Sequence, residues 1–313
     1  MKLFLLIPLA LTLGCNAVKT SNLPSRSDQL INDVKILSSD AYEGRKTGTK
    51  GAEMARNYIR KRFKEIGLKS FPLLNSYQQA FNFAGIDDPK LEGKNVIGYI
   101  PGTSDKIIVI SAHYDHLGII NGVIYNGADD NASGIAGILK IATHYAKNKP
   151  NYTLVFAAFD AQEFGRKGSA YFIDHLPFDI KRIKLNINLD MISHNDKGEL
   201  YAVGTFKNPQ LKNYIATTNP DLKILFGHDN PKLQGDDWTN QSDQSAFNAK
   251  NIPFLYFGVE DHRDYHRATD KFETINQEFF INAANGILEI TDNIDKDRTV
   301  ESVFRDKVQS KKM

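Results

Sequence analysis

The sequence predicts an α/β fold in which a mostly parallel central sheet is covered by helices on both faces, within a single domain. Two observations predict this architecture. Four short apolar runs, KIIVISA, TLVFAAF, IKLNINL and IPFLYFGV, have no polar alternation, which is typical of parallel strands buried on both faces. Segments of helical period, such as ASGIAGILKIATHYAKN and SAYFIDHL, separate these runs along the chain.

Further elements flank this alternating core. Apolar residues recur at helical spacing through residues 51–66, and Gly67 provides the stop, so a helix is predicted there. A last helix is predicted over about residues 277–291, where Phe280, Ala284, Ile287 and Leu288 form one stripe. The segments NVIGYIPG and ELYAVGT are predicted as more peripheral strands.

Composition excludes some classes of protein. The 313 residues are 41% hydrophobic, which is enough for a substantial core and excludes overall disorder. The 39 Lys and Arg residues nearly balance the 37 Asp and Glu residues, giving a net charge of +2. Because the basic residues are scattered, the sequence has no electrostatic footprint for nucleic acid, and no nucleic-acid partner is expected.

The first residues have the pattern of an export signal. Lys2 precedes an apolar run over residues 3–13, which is too short to span a bilayer, so residues 1–14 are predicted to be a signal peptide. The run ends in LTLGC, which resembles a bacterial lipoprotein processing site with Cys15 as the lipidated residue. The alternative is an ordinary signal peptide with an incidental cysteine. The protein is therefore expected to be exported, either as a periplasmic or outer-membrane-anchored lipoprotein or in secreted form, touching the membrane only through the lipid.

The rest of the chain is predicted to consist of a tether, one domain and a tail. A polar tether is predicted over residues 15–26, a single globular domain over 27–295 and a charged tail over 296–313. Cys15 is the only cysteine, so neither an intrachain disulfide nor a thiolate metal site can form.

Potential metal ligands follow the predicted strands at equivalent positions. The carboxyl ends of parallel strands share one edge of a sheet, where loops from neighbouring strands converge. Taken singly, each such histidine or aspartate has an ordinary structural explanation, and Asp130 with Asn131 could simply cap the following helix. Their recurrence in five segments indicates a functional site. The segments contribute His113, Asp115 and His116; Asp129 and Asp130; Gln162 and Glu163; Asp190; and His266, which is framed by Asp264 and Asp270.

This donor set suits zinc, with cobalt or manganese as possible substitutes, because it contains imidazoles and carboxylates but no sulfur. Charge counting favours two ions. Three carboxylates and one hydroxide nearly neutralise two divalent cations, whereas a single ion would leave an excess of buried negative charge.

Five ordered motifs resemble a known family. SAHYDHLG, NGADDNASG, QEFGRKGS, NLDMIS and DYHRATD are similar, in order and spacing, to segments of the co-catalytic dizinc aminopeptidases. Relatives of that family include glutamate carboxypeptidase, glutaminyl cyclase and the transferrin receptor ectodomain. The resemblance extends from EGRKTGTKGAEMARNYI, near residue 43, to the final helix.

The resemblance implies a zinc aminopeptidase-like fold and a set of zinc ligands. His113 and Asp190 would hold one zinc ion, Glu163 and His266 the other, and Asp129 would bridge the two. Asp115 would correspond to the carboxylate that orients the first histidine from behind. Asp130 would correspond to the residue that follows the bridging aspartate.

Gln162 departs from the family pattern. In the family, two glutamates occupy the positions of Gln162 and Glu163; the second binds zinc and the first is the general base. An amide has no usable basicity at neutral pH, and loss of a positioned general base typically costs about 10² to 10⁴ in rate. A slipped alignment is rejected, because Gly165, Gly168 and Ser169 fix the register.

The sequence therefore predicts a zinc-dependent exopeptidase, an aminopeptidase by resemblance, that hydrolyses peptides with water activated by two metal ions and has reduced activity. The alternative is a catalytically silent, metal-containing peptide-binding protein. A serine hydrolase is excluded, because the sequence contains no Gly-x-Ser-x-Gly elbow.

Residues 226–241, including Trp238, are expected to form the substrate pocket. Gln244, where relatives often carry histidine, is either a second change near the substrate or a surface substitution.

Overall fold

A computed structural model describes residues 26–85, 88–232 and 235–297. The predicted signal peptide, all but the last residue of the predicted tether, and residues 298–313 of the predicted tail lie outside these ranges. Within them, no helix combines the length and the apolar character needed to cross a bilayer.

An eight-stranded sheet forms the centre of the fold. Its order is β1-β2-β6-β3-β7-β10-β8-β9, and β4 and β5 form a separate hairpin. The strands are β1 (Gln78–Phe83), β2 (Leu91–Ile100), β3 (Ile107–His113), β4 (Gly118–Ile120), β5 (Val123–Tyr125), β6 (Thr153–Phe159), β7 (Ile183–Leu189), β8 (Glu199–Val203), β9 (Lys223–Leu225) and β10 (Phe254–Gly258).

The four predicted buried strands are confirmed as the parallel centre of the sheet. β3 pairs in parallel with β6 on one side and with β7 on the other, and β7 pairs in parallel with β10. The two predicted peripheral strands correspond to β2 and β8, which join the parallel strands antiparallel from either side. The mostly parallel sheet is therefore confirmed.

Helices cover both faces of this sheet, as predicted. Successive side chains of β3 point to opposite faces of the sheet. Ile108 and Ile110 pack against one helical layer, and Ile107 and Val109 pack against the other. The first layer contains α1 (Arg26–Leu37), α2 (Lys50–Ile66), α3 (Gly134–Tyr145) and α6 (Gln277–Lys296), and the second contains α4 (Lys167–Asp174) and α5 (Gln244–Ala249).

The helix boundaries follow from local sequence signals. Gly67 ends α2 in the left-handed conformation, at φ 90°, as the stop signal predicted. Asn276 begins α6 by accepting a hydrogen bond from the Phe279 amide, and α6 runs five residues beyond the predicted end at residue 291, to Lys296. This last helix extends because Ile294 is still buried in the core.

The strand register determines where the site forms. His113 at the end of β3 lies opposite Phe159 at the end of β6, and Leu189 at the end of β7 lies opposite Phe257 near the end of β10. The four parallel strands therefore end at nearly the same level, and the segments that follow them emerge along one edge of the sheet.

Candidate metal centre

Each motif contributes a side chain at or just beyond a strand end. His113 is the last residue of β3, Asp190 directly follows β7, and Glu163 lies four residues beyond β6. Left-handed residues redirect the chain at two of these exits: Ala161 has φ 56° and Met191 has φ 58°. These sharp turns keep the emerging segments close to the sheet edge, so that their side chains face one another.

The first group of donor atoms contains His113, Asp130 and Asp190. The His113 Nε2 atom lies 3.1 Å from Asp190 Oδ1 and 3.4 Å from Asp130 Oδ1. The second Asp190 oxygen accepts a hydrogen bond of 2.6 Å from the Ser242 hydroxyl, which fixes the carboxylate. All three donor residues are buried.

The second group lies on the other side of the same aspartate. His266 Nε2 is 3.2 Å from Asp130 Oδ2 and 3.7 Å from Glu163 Oε1. His116 Nδ1 approaches the same two oxygens, at 3.6 Å from Asp130 Oδ2 and 3.1 Å from Glu163 Oε1. The sequence pattern placed His116 at this edge without assigning it a role.

The expectation for Asp129 needs correcting, because Asp130 stands between the two groups. One Asp129 oxygen accepts hydrogen bonds from the Ser193 amide and hydroxyl, and the other contacts His262 Nε2 at 3.0 Å. Its carboxylate is therefore engaged away from His113 and Glu163. Both aspartates are held from the same side, because Asp270 accepts hydrogen bonds from the two backbone amides.

A third cluster contains His194, His262 and Asp264. Its two imidazoles stack face to face with ring centroids 3.7 Å apart. His262 Nδ1 accepts a hydrogen bond from the Asp264 amide, so that Nε2 carries the proton and donates to Asp129. Since both His262 nitrogens are already used, this cluster supports Asp129 rather than a metal ion.

Asp115 contacts both His113 and the Gln162–Glu163 turn. The His113 Nδ1 atom lies 3.1 Å from the Asp115 carbonyl oxygen and 3.7 Å from its carboxylate, so the main chain makes the closer contact with the imidazole. The carboxylate also accepts hydrogen bonds from the amides of Gln162 and Glu163. Asp115 thus fixes the Gln162–Glu163 turn relative to His113.

Arg45 is a fully buried cation behind the site, with 1% of its surface exposed. Its guanidinium donates to the carbonyl oxygens of Tyr114 (2.8 Å), Leu37 (2.8 Å), Asn126 (2.5 Å), Gly127 (2.8 Å) and Asp130 (3.5 Å). One side chain therefore joins the segment after β3 to the segment that carries Asp130. Neither the periodicity nor the motifs indicated this function.

An open cavity of about 270 Å³ leads to the donor atoms. Gln162 lines it together with Trp238, so the amide occupies the wall of the cavity as its motif position suggested.

Gln244 is neither a surface residue nor part of this wall. It is fully buried and bonds to Asn188 and to the Trp238 carbonyl oxygen, which makes it a support for the wall.

The titratable groups perturb one another strongly. Burial raises the pKa of Glu163 to about 7 and lowers the pKa of His116 to about 4. Burial also opposes protonation of His113, but the Asp190, Asp115 and Asp130 carboxylates outweigh it and raise the pKa of this imidazole well above its usual value. A bound cation would therefore displace protons from this cluster.

The spacing of the donor atoms fits zinc. Tetrahedral ligands at 2.0–2.2 Å from zinc are separated from one another by about 3.3 to 3.6 Å. The contacts across the two groups span 3.1 to 3.7 Å, and no described Lys or Arg side chain forms an ion pair with Asp130, Glu163 or Asp190. Among residues 26–85, 88–232 and 235–297, only imidazoles form ion pairs with these buried carboxylates, and a bound divalent cation would stabilise the carboxylates further.

The fold and donor set together define a zinc peptidase-like protein. The model of Peptidase family M28 matches residues 95–291, and the chain belongs to this family. The curated relatives include the aminopeptidase YwaD of Bacillus subtilis, which is 30% identical over 225 residues that cover 69% of this chain and 44% of that protein. The chain spans 60%, 11% and 44% of the lengths of the first three curated relatives that it matches.

Solved structures show the same fold. A glutaminyl cyclase from Bacteroides thetaiotaomicron superposes with a TM-score of 0.70 at 19% identity, covering 86% of this chain and 98% of that one. BSAP, a zinc aminopeptidase from Bacillus subtilis, superposes with a TM-score of 0.69 at 17% identity, covering 91% of this chain and 99% of that one. Family membership and the donor clusters together support a hydrolase that uses zinc.

Replacing Arg45 tests whether its hydrogen bonds to backbone carbonyl oxygens stabilise the fold around the site. Arg45→Met should lower the free energy of unfolding of the metal-free protein by about 3–5 kcal/mol, because several buried carbonyl oxygens lose their donors. Urea denaturation measures this change. Arg263→Met is the matched control: Arg263 is 86% exposed, and its loss should change stability by less than about 0.5 kcal/mol. Equal effects of the two changes would contradict the role given to Arg45.

Proposed function

We propose that this protein is a zinc-dependent exopeptidase that acts on the amino end of peptides. The observation that carries the proposal is the convergence of five imidazole and carboxylate side chains at the base of an open cavity, within ligand distance of one another. The chain's family and its similarity to the aminopeptidase YwaD support the same reaction class.

Two ions are proposed, sharing Asp130. His113 and Asp190 would hold the first ion, Glu163 and His266 the second, and one oxygen of Asp130 would face each. The carboxylates of Asp130, Glu163 and Asp190 nearly neutralise two divalent cations once a hydroxide is included, whereas one cation would leave buried negative charge.

The cavity suits the terminal residue of a peptide. Its volume of about 270 Å³ lies just below the range of about 300–1,000 Å³ that is typical of ligand pockets. Trp238 and Tyr265 supply ring surface, and the Asp261 carboxyl supplies negative charge that can pair with a free α-amino group. Burial raises the pKa of Tyr265, so its hydroxyl stays protonated and can donate a hydrogen bond to the substrate.

The bound ions would polarise the scissile carbonyl and increase the acidity of water at the site. Gln162 lies in the cavity wall, where its amide can hydrogen-bond water or substrate but cannot accept the proton that must leave the attacking water. Hydrolysis is therefore expected to be slow, by about 10² to 10⁴ relative to the same site with a general base.

A catalytically silent peptide-binding protein is the second candidate. The observation in its favour is that Gln162, an amide, lies in the wall of a cavity that is otherwise lined by candidate metal ligands of a peptidase site. An aminoacyl-nitroanilide assay of the zinc-loaded protein separates the candidates: slow release of nitroaniline that chelator abolishes supports the peptidase, and peptide binding with no release supports the silent protein.

Restoring a carboxylate at position 162 should increase turnover. Gln162→Glu is expected to raise kcat by about 10² to 10⁴ in zinc-loaded protein, because it supplies the missing proton acceptor. Gln241→Glu is the matched control, since Gln241 is another amide in the wall of the same cavity and the change adds the same charge. No rise for Gln162→Glu, or an equal rise for both variants, would refute the general-base argument.

Adjacent aspartates should differ in their effect on metal content. Asp130→Asn is expected to remove at least one of the two zinc ions, because it weakens the carboxylate that both ions share. Asp129→Asn should retain both, since Asp129 contacts Ser193 and His262 rather than the donor groups. Elemental analysis of the purified variants gives the stoichiometry, and loss of zinc from Asp129→Asn alone would reverse the assignment.

We also propose that the protein is exported and lipidated at Cys15, on the basis of the apolar run over residues 3–13 and the LTLGC segment. Cys15→Ser should move the protein from the membrane fraction to the soluble exported fraction. Membrane fractionation checks this outcome, and an unchanged distribution would favour the ordinary signal peptide.

A further inference from the structure

His116 lies where a metal ligand would lie, behind the residues that line the open cavity. It is fully buried, and its Nδ1 atom faces Glu163 Oε1 at 3.1 Å and Asp130 Oδ2 at 3.6 Å. The backbone leaves room for this ring. Gly127 has φ 58°, and a Cβ atom there would lie 2.1 Å from the Asp130 carbonyl oxygen and 2.6 Å from two ring carbons of His116, so the close packing of both groups requires glycine.

Two histidines approach the same pair of oxygens from different directions. His266 Nε2 contacts Asp130 Oδ2 at 3.2 Å and Glu163 Oε1 at 3.7 Å, and the centroids of the two imidazole rings are 6.0 Å apart. His266 lines the open cavity, whereas His116 lines a separate cavity on the far side of Glu163. His116 and His266 thus both approach Asp130 Oδ2 and Glu163 Oε1, His266 beside the open cavity and His116 beside the separate one.

The two ion positions therefore differ in their number of protein donors. The first has His113, Asp190 and Asp130, which leaves a tetrahedral ion one open position. The second would have Glu163, Asp130 and two imidazoles, which would provide four protein donors if His116 binds.

We propose that His116 Nδ1 is a fourth protein ligand of the second zinc ion, an inference that rests on the proposed dizinc site. Imidazole binds metals through either ring nitrogen, so coordination through Nδ1 is chemically ordinary. The second ion would then have four protein ligands and the first only three, so exchangeable ligands would bind mainly at the first ion.

The competing explanation gives His116 a positioning role, in which its Nδ1–H group donates a hydrogen bond to Glu163 and orients that carboxylate. Metal affinity does not separate the two explanations, because loss of an orienting partner also weakens binding, by about 10- to 100-fold. The decisive property is whether the His116 ring is bonded to the ion.

Nuclear magnetic resonance of the full chain loaded with Co²⁺ reports this bond directly. Paramagnetic Co²⁺ shifts the signals of coordinated histidine rings far outside the normal range, and selective labelling of histidine makes these rings countable. We expect three shifted rings, from His113, His116 and His266, one of which disappears in His116→Asn while two cobalt ions stay bound. The asparagine amide occupies about the position of Nδ1 and can still donate to Glu163.

The controls keep the outcomes distinct. His144→Ala, on α3 and beside Asp292, should leave three shifted rings. Two shifted rings in the parent protein, unchanged in His116→Asn, would overturn the ligand role and leave the dizinc site intact. The count in the parent protein decides the question even if the variant does not fold. Protein that binds no cobalt at all would instead overturn the proposed dizinc function.

Discussion

The rest of this site depends on a cluster of buried carboxylates whose ion pairs are formed only with imidazoles among the described residues. Asp130, Glu163 and Asp190 lie together at one edge of the sheet, and burying even one unpaired carboxylate is costly. Arg45 does not solve the problem, because its donors are directed to backbone carbonyl oxygens rather than to these side chains. Histidines interleave with the carboxylates instead. Interleaved imidazoles and carboxylates are a donor set that suits zinc.

The scaffold provides the rigidity that such an arrangement needs. Four parallel strands fully covered on both faces end at one level, and the ligand segments begin within a few residues of those ends. These segments form hydrogen bonds with one another. Asp115 connects the first segment to the Gln162–Glu163 turn, Asp270 holds the amides of both adjacent aspartates, and Arg45 joins the first two segments from behind. Short connections and internal hydrogen bonds together keep the donors in place without the ions.

The sequence predicted those parts of the structure that periodicity encodes. The parallel centre of the sheet, its two helical layers and the edge where the ligands converge all follow from apolar runs and their spacing. The choice between Asp129 and Asp130 could not follow, because these neighbours differ only in the local backbone path, which leaves helical geometry at Asp130 with φ −103° and ψ 95°. His116 was visible at the strand end, but its direction depends on the space that Gly127 leaves. Short or half-exposed strands such as β1 and β9 also lack a clear periodic signal.

The central claim is that Asp130 lies between two divalent cations, and anomalous X-ray diffraction from crystals of the zinc-loaded protein tests it most directly. The account predicts two anomalous peaks at the zinc absorption edge, one beside His113 and Asp190 and the other beside Glu163 and His266, with one Asp130 oxygen directed at each. A single peak, or peaks beside His194 and His262 instead, would contradict it.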